Sequence, residues 1–457
     1  LVEKRSWAGR MMKKTFIKGN SDWYIDSFRK FEDRLNGQAS LDVHRLRKQA
    51  LKSFQELGFP TTKHEEWKYT NVSALIDQNF ELSQPYLSGN LSKENIKQYQ
   101  FPGLEKRTLV FVNGHYASEL SNDTEISKKI EVLSLQEAIT NNPDRLSEHF
   151  TKYASIKEQS FISLNTAFVQ DGAFINIPET VKVDKPIHLI YLTVGDSHPI
   201  ISFPRNLIIA GRNSEVTFIE SFESLEDSIY FTNAVCEIVL GQNSKVERIK
   251  IQNESKQAFH IAASQAIQER DSRFIDQNIS LGSTLTRNDI NTKFIGENGS
   301  CELNGMYSGN HEQHIDNHTT IDHAKAYCES HELYKGILDE KAAGVFNGKI
   351  FVRPDAQKTN AIQSNNCILL SDQATIDTKP QLEIFADDVK CTHGATVGQL
   401  NEDAYFYMRS RGIEKSNARK LLIYAFASEV IDKINFEPVR EKVLELFSDK
   451  LRTMKPE

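Results

Sequence analysis

Between Phe161 and Phe385 the sequence is a long succession of short β-prone runs, among them AFINI, IHLIYLTV, NLIIA, EVTFIE, AVCEIVL, KVERIKI, RFIDQNISL and KIFV. Gly, Asn, Asp and Ser separate them, and no long helical pattern interrupts the series. Two turns recur at a fixed spacing. Gly211-Arg212-Asn213-Ser214-Glu215-Val216 is followed 30 residues later by Gly241-Gln242-Asn243-Ser244-Lys245-Val246, with a looser copy at Gly296-Glu297-Asn298-Gly299-Ser300. Many short strands with recurring turns fit a sandwich, a barrel or a solenoid. The stretch exceeds the usual length of one sandwich, and a fixed turn repeat favours stacking of like units. A β-helix is therefore the first expectation and a double sandwich the second.

The flanks have a different texture. From Lys13 to about Ser155 the pattern is mostly helical, and Val43, Leu46, Ala50, Leu51, Phe54 and Leu57 make one apolar stripe that Gly58 and Pro60 stop. The segment PTTKHEEWKYTN (60–71) reads as a turn whose Trp67 and Tyr69 pack inward. Leu109 to Val112 reads as a strand entering an Asn113-Gly114 hairpin turn, and a further helical run spans Leu135 to Phe150. Beyond the β-rich region, Asn401-Glu402-Asp403 opens a helix that Gly412 ends. Two more apolar stripes follow, Ala418 to Val430 and Val439 to Leu451, the second opened by Pro438. The resulting division is a non-native or disordered extension over 1–12, a mostly helical region over 13–157, a β-helix core over 158–400 and a helical region over 401–457.

Composition narrows the function classes. Of 457 residues 39% are hydrophobic and 26% charged, which fits a polar globular protein. A formal charge of −7 argues against a dedicated nucleic-acid binder, which would carry a basic stripe. No apolar run approaches the ~18 residues needed to span a bilayer, so no membrane role is expected. The cysteines (Cys236, Cys301, Cys328, Cys367 and Cys391) are odd in number, scattered and without a C-x-x-C pair. They suit reduced thiols in the cytoplasm better than a disulfide framework.

Chemistry concentrates near the end of the β-rich region, in VKCTHGATVGQLNEDAYFYMRSRGI (389–413). On a strand, Cys391 and His393 would point to one face. A thiol and an imidazole can share iron or zinc, but two ligands are half of a usual site, so the rest must come from elsewhere or from a partner. They could also form a nucleophile and base, though no oxyanion elbow is recognisable, or be an ordinary buried pair. Five of the thirteen histidines (His311, His314, His318, His323, His331) crowd into 311–331. Either they hold a metal or they bond across solenoid rungs; the second is favoured, because no metal-finger spacing occurs. Gly344-Val345-Phe346-Asn347-Gly348-Lys349-Ile350 mimics a phosphate loop but lacks one residue and the Ser or Thr, and reads as a β-turn. Arg409, Arg411, Lys415, Arg419 and Lys420 form a basic cluster that is either a solvated face or a surface for an acidic partner.

Several blocks together resemble the SufD family, one subunit type of the SufB–SufC–SufD iron–sulfur cluster assembly complex. They are GFPTTKHEEWKYTNV, TLVFVNGHYASELS, LNTAF with DGAFINIP, KPIHLIYL, NHTTIDHAKAYCESHELYKGIL, GVFNGKIFVRPDAQKTNAIQSNNCILLS and TKPQLEIFADDVKCTHGATVGQL, covering roughly 58–434. SufB-like chains carry an acidic residue and His where this chain has Cys391-Thr392-His393-Gly394, so the SufD form is the better match. The resemblance implies a mainly β fold, a right-handed parallel β-helix flanked by N- and C-terminal helical domains. It implies a non-catalytic scaffold subunit that pairs with SufB through the ends of the two β-helices. His393, and less securely Cys391, would then be iron or cluster ligands shared with SufB. It also implies docking of the SufC ATPase to the C-terminal helices, around Arg409, Arg411, Gly412, Leu421, Leu422 and Phe426. No cofactor is expected on the isolated chain; the Suf complex is associated with reduced flavin, for which no motif is visible here. A β-helix ends in unpaired strand edges, so a homodimer in SufB's absence is a further expectation. The reading from a different class, a β-helix enzyme acting on polysaccharide or acyl groups, lacks the hexapeptide repeat of acyltransferases and a signal peptide.

Overall fold

The computed structural model describes residues 21–35, 41–85, 91–141, 143–195 and 197–453; the extension expected over 1–12 lies outside them. The principal strands wind in chain order as β1 (Ile187–Thr193), β2 (Arg205–Ala210), β3 (Glu215–Ser224), β4 (Tyr230–Leu240), β5 (Lys245–Asn253), β6 (Phe259–Gln268), β7 (Arg273–Ser280), β8 (Leu285–Phe294), β9 (Ser300–Gly309), β10 (His314–His323), β11 (Glu329–Leu338), β12 (Ala343–Val352), β13 (Asn360–Leu369), β14 (Thr375–Ile384) and β15 (Lys390–Gly398). Each odd-numbered strand pairs in parallel with the next odd one, and each even-numbered strand with the next even one. The core is thus a parallel β-solenoid of about eight turns with two facing sheets, not a sandwich of antiparallel hairpins.

The turn repeat read in the sequence marks one edge of this winding. Asn213, Asn243, Asp271, Asn298, Tyr327 and Lys358 occupy equivalent corners with φ between 54° and 61°. Each donates its backbone N–H to the corner of the following rung, as Asn213 does to Gln242 O at 2.9 Å and Asn243 to Arg270 O at 2.9 Å. Asn and Asp tolerate this left-handed conformation through short polar side chains. They also stack: Asn243 Nδ2 donates to Asn213 Oδ1 at 2.8 Å. Tyr327 and Lys358 hold the same conformation with no such residue type, which is why the sequence showed only part of the ladder.

Alternation fills the lumen. Val216, Val246, Phe274, Cys301, Ala361 and Cys391 form one inward column on the odd sheet. Burying each large apolar side chain is worth roughly 1.5–3 kcal/mol. Phe111, Tyr191 and Phe222 stack at 4.8 and 4.9 Å near the first turns. The middle rungs are polar: Arg248 bonds Glu220 at 2.5 Å and Asp276 at 2.8 Å, all buried.

The N-terminal region covers the outer face of the even sheet. Helices α1 (Ser21–Glu32), α2 (Asp42–Leu57) and α3 (Ser160–Phe168) share an aromatic cluster of Tyr24, Phe28, Phe31, Phe54 and Phe168. Gly58 stops α2 at φ 59°, its N–H bonded to Phe54 O. The strand Thr108–Val112 extends the odd sheet beside β1, and Asn113 and Gly114 supply the two positive φ values, 52° and 84°, of its hairpin turn. At the other end, α4 (Glu402–Ser410), α5 (Lys415–Ile431) and α6 (Glu437–Thr453) follow β15. Ile423, Ala427, Val430, Val443 and Phe447 seat α5 and α6 on outward Ile249, Ile279, Met306 and Ile337 of the odd sheet.

Three local expectations are corrected. Phe161–Phe168 is helical rather than β; every one of these residues is buried, so no amphipathic stripe signals the helix. Gly344–Ile350 is not a turn but the middle of β12, where Gly348 faces the lumen and a Cβ would lie 2.2 Å from Gln363 Nε2. Tyr69 is exposed beneath the Lys68 ammonium, whereas Trp67 does pack inward against Phe161.

Candidate functional site at the open end of the solenoid

Among the described residues nothing caps the last rung of the winding. All positions of β14 and β15 are half-buried or exposed, unlike the strands beneath them. Lys390 donates its N–H to Thr359 O at 2.8 Å, so strand alternation turns the N–H groups of Cys391, His393, Ala395 and Val397 away from the solenoid. A row of unpaired backbone donors and acceptors results. Around it Val397, Ile384 and Phe385 are 48%, 40% and 60% exposed, leaving a cross-section of the lumen open.

Cys391 and His393 stand on that cross-section, on the inward face of β15. Register places Cys391 over Ala361 and His393 over Gln363, which bonds Glu332 Oε2 at 2.7 Å one rung lower. His393 therefore tops a polar lumen column. Burial pushes the Glu332 carboxyl up to about 7, against the hydrogen bonds of Thr319 and Gln363. The Cys391 thiol is also pushed up by burial, only partly offset by a backbone bond to Ala361. A thiol shifted upward is the reverse of what a nucleophile needs. Among the described residues no group of three or more His, Cys, Asp or Glu side chains is disposed to hold a metal ion. The end face thus offers two ligand types in one place and a free strand edge beside them.

The crowded histidines do not form one site. His311 sits on a turn against Glu340 at 2.5 Å, and buried His323 meets Ser330 Oγ at 2.9 Å. His314 and His318 lie on the outer face of β10, and His331 is exposed on β11. His318 belongs to a cluster the sequence reading missed. Arg287 stacks 3.8 Å over Trp67 and bonds Asp316 at 2.7 Å and Asp289 at 2.8 Å, while His318 bridges Asp316 and Glu66. The neighbouring His318, with Lys349 and Arg287, holds the half-exposed Glu66 carboxyl down at about 2 against its partial desolvation. Burial and Arg287 push His318 down, but Asp316 and Glu66 outweigh them and raise it. The alternating outward charges of His314-x-Asp316-x-His318 and Arg287-x-Asp289, set beside Glu65-Glu66-Trp67, were the available signal.

The terminal basic cluster divides. Arg419 donates to Leu370 O at 2.9 Å and ties α5 to the solenoid. Arg409 donates to Ile413 O at 2.8 Å and Arg411 lies 5.1 Å over the Tyr407 ring, both closing the turn at Gly412. Helix α4 buries none of its residues, with Phe406 74% and Tyr407 59% exposed. Leu421 is 48% exposed, Leu422 is half-buried, and Phe426 packs under the Lys335 ammonium at 4.3 Å.

Comparison with known proteins places this architecture. The SufBD core domain of the SUF iron–sulfur cluster assembly system matches residues 192–426, and the SufBD protein N-terminal region matches 18–189. The chain belongs to the SufBD family. An iron–sulfur cluster assembly SufBD family protein of Synechocystis is 36% identical over 386 residues, 83% of this chain and 84% of that one. The iron–sulfur cluster assembly protein SufD of Escherichia coli is 32% identical over 88% of this chain and 92% of its own length. SufD of Bacillus subtilis is 28% identical over 89% and 93%. A role in iron–sulfur cluster assembly follows from SufBD membership, and among the described residues no helix is long and apolar enough to cross a membrane.

Proposed function

We propose that this chain is a non-catalytic scaffold subunit of a SufB–SufC–SufD complex. It pairs with SufB through the open end of its solenoid and binds the SufC ATPase through its C-terminal helices. The observation that carries the reading is the final strand, β15, which leaves one edge unpaired while presenting Cys391 and His393 beside it. A second parallel solenoid can satisfy that edge rung to rung and cover the exposed Ile384, Phe385 and Val397. Iron or a nascent cluster, as cargo, would be bound by His393, with Cys391 as a second donor, and by ligands from SufB. Exposed Phe406, Tyr407 and Leu421 beside Arg409, Arg411 and Gly412 suit a SufC docking surface. Five free cysteines, four of them buried, suit a reducing compartment such as the cytoplasm.

Ala395→Pro tests the pairing. Proline removes a backbone donor that faces outward and leaves the bonds to β13 in place. The variant should fold and still bind SufC but fail to co-purify with SufB. Retention of SufB at wild-type yield would sink the edge-pairing geometry.

A further inference from the structure

The open end of the solenoid has two strand edges, one in each sheet, and they differ in kind. On the even sheet, Thr375 N–H bonds Ala342 O at 3.0 Å and Phe385 N–H bonds Val352 O at 2.8 Å, in one unbroken register between β12 and β14. Strand alternation therefore turns the nitrogens of Ile376, Thr378, Pro380, Leu382 and Ile384 toward the open end. The middle one, Pro380, carries no hydrogen, and its ring fills the space where a partner's carbonyl would approach. Its neighbour Lys379 is tied to Glu65 of the N-terminal cover, and Asp377 and Glu383 add charge along the same strand. Proline and charge on an edge strand discourage the addition of a further strand. The β15 edge lacks both. Residues 391–398, CTHGATVG, hold neither proline nor Asp, Glu, Lys or Arg, and the outward nitrogens of Cys391, His393, Ala395 and Val397 all carry hydrogen.

Pro380 also lies across the lumen mouth from His393. One rung lower, Gly348 sits beneath Pro380 and Gln363 beneath His393, and these two positions meet: a Cβ on Gly348 would lie 2.2 Å from Gln363 Nε2. The next pair of positions repeats the match, since Asn365, beneath Ala395, donates from Nδ2 to Thr378 Oγ1 at 3.1 Å. The edge least able to form a ladder thus faces the imidazole. A joint with ladders in both sheets would seal the lumen around His393. With a ladder in one sheet, the β14 side meets a partner through side chains alone, which can part without breaking backbone bonds.

We infer that the partner solenoid forms its ladder with β15 alone, and that the edge of β14 at Pro380 stays free of a ladder as a seam through which iron reaches His393. The inference rests on the pairing proposed above and adds its geometry, one laddered sheet and one seam. Pro380 is a positioning residue in this account, because it acts on the joint and touches no iron.

The test has one arm in the complex and one in the isolated chain. Co-expressed with SufB and SufC, Leu382→Pro removes another outward donor of β14 and should retain SufB at wild-type yield; loss of SufB from the folded variant would show a ladder on β14 and overturn the inference. Thr378→Pro, at another outward nitrogen of the same edge, takes its place if that variant does not fold. Pro380→Thr restores a donor in a residue suited to strands. It should slow the removal of iron from the purified complex by a chelator severalfold, and an unchanged rate would exclude the seam. In the isolated chain the same variant opens a second edge, so self-association measured by sedimentation should tighten about tenfold or more, the worth of a few ladder bonds. Self-association equal to wild type would show that Pro380 is not what blocks β14. A wild-type chain that captures no SufB would count against the pairing reading itself, and the isolated-chain arm would still decide the nature of the edge.

Discussion

Glu237 should be the residue whose loss most weakens the seam between the N-terminal cover and the solenoid. It projects from the outer face of β4 and is fully buried with Arg205. One carboxylate oxygen accepts from Arg205 Nη2 at 2.6 Å and Thr151 N at 2.9 Å; the other accepts from Tyr153 N at 2.9 Å and Ala154 N at 3.0 Å. Arg205 in turn donates to Asn165 and Thr166 of α3 and lies 5.3 Å over Phe150. Glu237→Ala leaves a buried guanidinium without its counter-charge, a loss of about 3–5 kcal/mol. It also orphans three backbone donors at roughly 1–3 kcal/mol each before water enters the space left behind. These terms overlap, and about 5 kcal/mol is the expected total. Urea unfolding followed by tryptophan emission and by far-UV circular dichroism measures it. Trp23 and Trp67 lie in the N-terminal cover, so the emission transition should move to lower urea ahead of the solenoid signal. Arg205→Met with Glu237→Gln should be less damaging than the sum of the two single changes by at least about 2 kcal/mol. A loss below about 1 kcal/mol for Glu237→Ala, or strict additivity in the pair, would refute the coupling.

Two further predictions concern pH and docking. Burial raises the Glu223 carboxyl from 4.5 to about 8, so the folded state holds its proton where the unfolded state does not, and stability falls as pH rises through that window. Glu223→Gln should thus gain on the order of 2 kcal/mol at high pH and nearly nothing at pH 5, read from denaturation at both; a gain larger at low pH would reverse the sign and exclude the cause. Leu421→Asp should leave the melting temperature nearly unchanged, since that side chain is half exposed, yet reduce SufC binding at least tenfold in a pull-down. Undiminished SufC capture by the folded variant would remove α5 from the docking surface; Phe426 is a poorer probe because it packs under Lys335.

Much of the fold was legible because it is periodic. Strand alternation and the Asn-centred turns at 211–216 and 241–246 reported the winding directly, since left-handed corners select Asn and Asp and the lumen selects apolar residues. The signal failed where burial was uniform. Phe161–Phe168 has no polar face to set its period, and inward glycines made β12 look like a turn although Gly348 is required by the side chain of Gln363. Cys391 and His393 were legible as a pair because two residues apart on a strand means one face. Their position on the uncovered last rung was not, because nothing local in CTHGATVG distinguishes an end strand from a central one. The Glu66–Arg287–Asp316–His318 cluster was invisible for a different reason. It joins residues more than two hundred positions apart, with Arg287 Nη1 bonded to Glu66 O across 221 residues.

The central claim is that the open rung completes a cluster site with SufB, and His393→Ala tests it most directly. The chain and its variant are each co-expressed with SufB and SufC of the same source and purified through this chain, and iron and acid-labile sulfide are counted per complex. The account predicts three subunits in both preparations, with iron and sulfide falling severalfold only in His393→Ala. Equal iron and sulfide in an intact variant complex would contradict it, as would a wild-type chain that purifies alone.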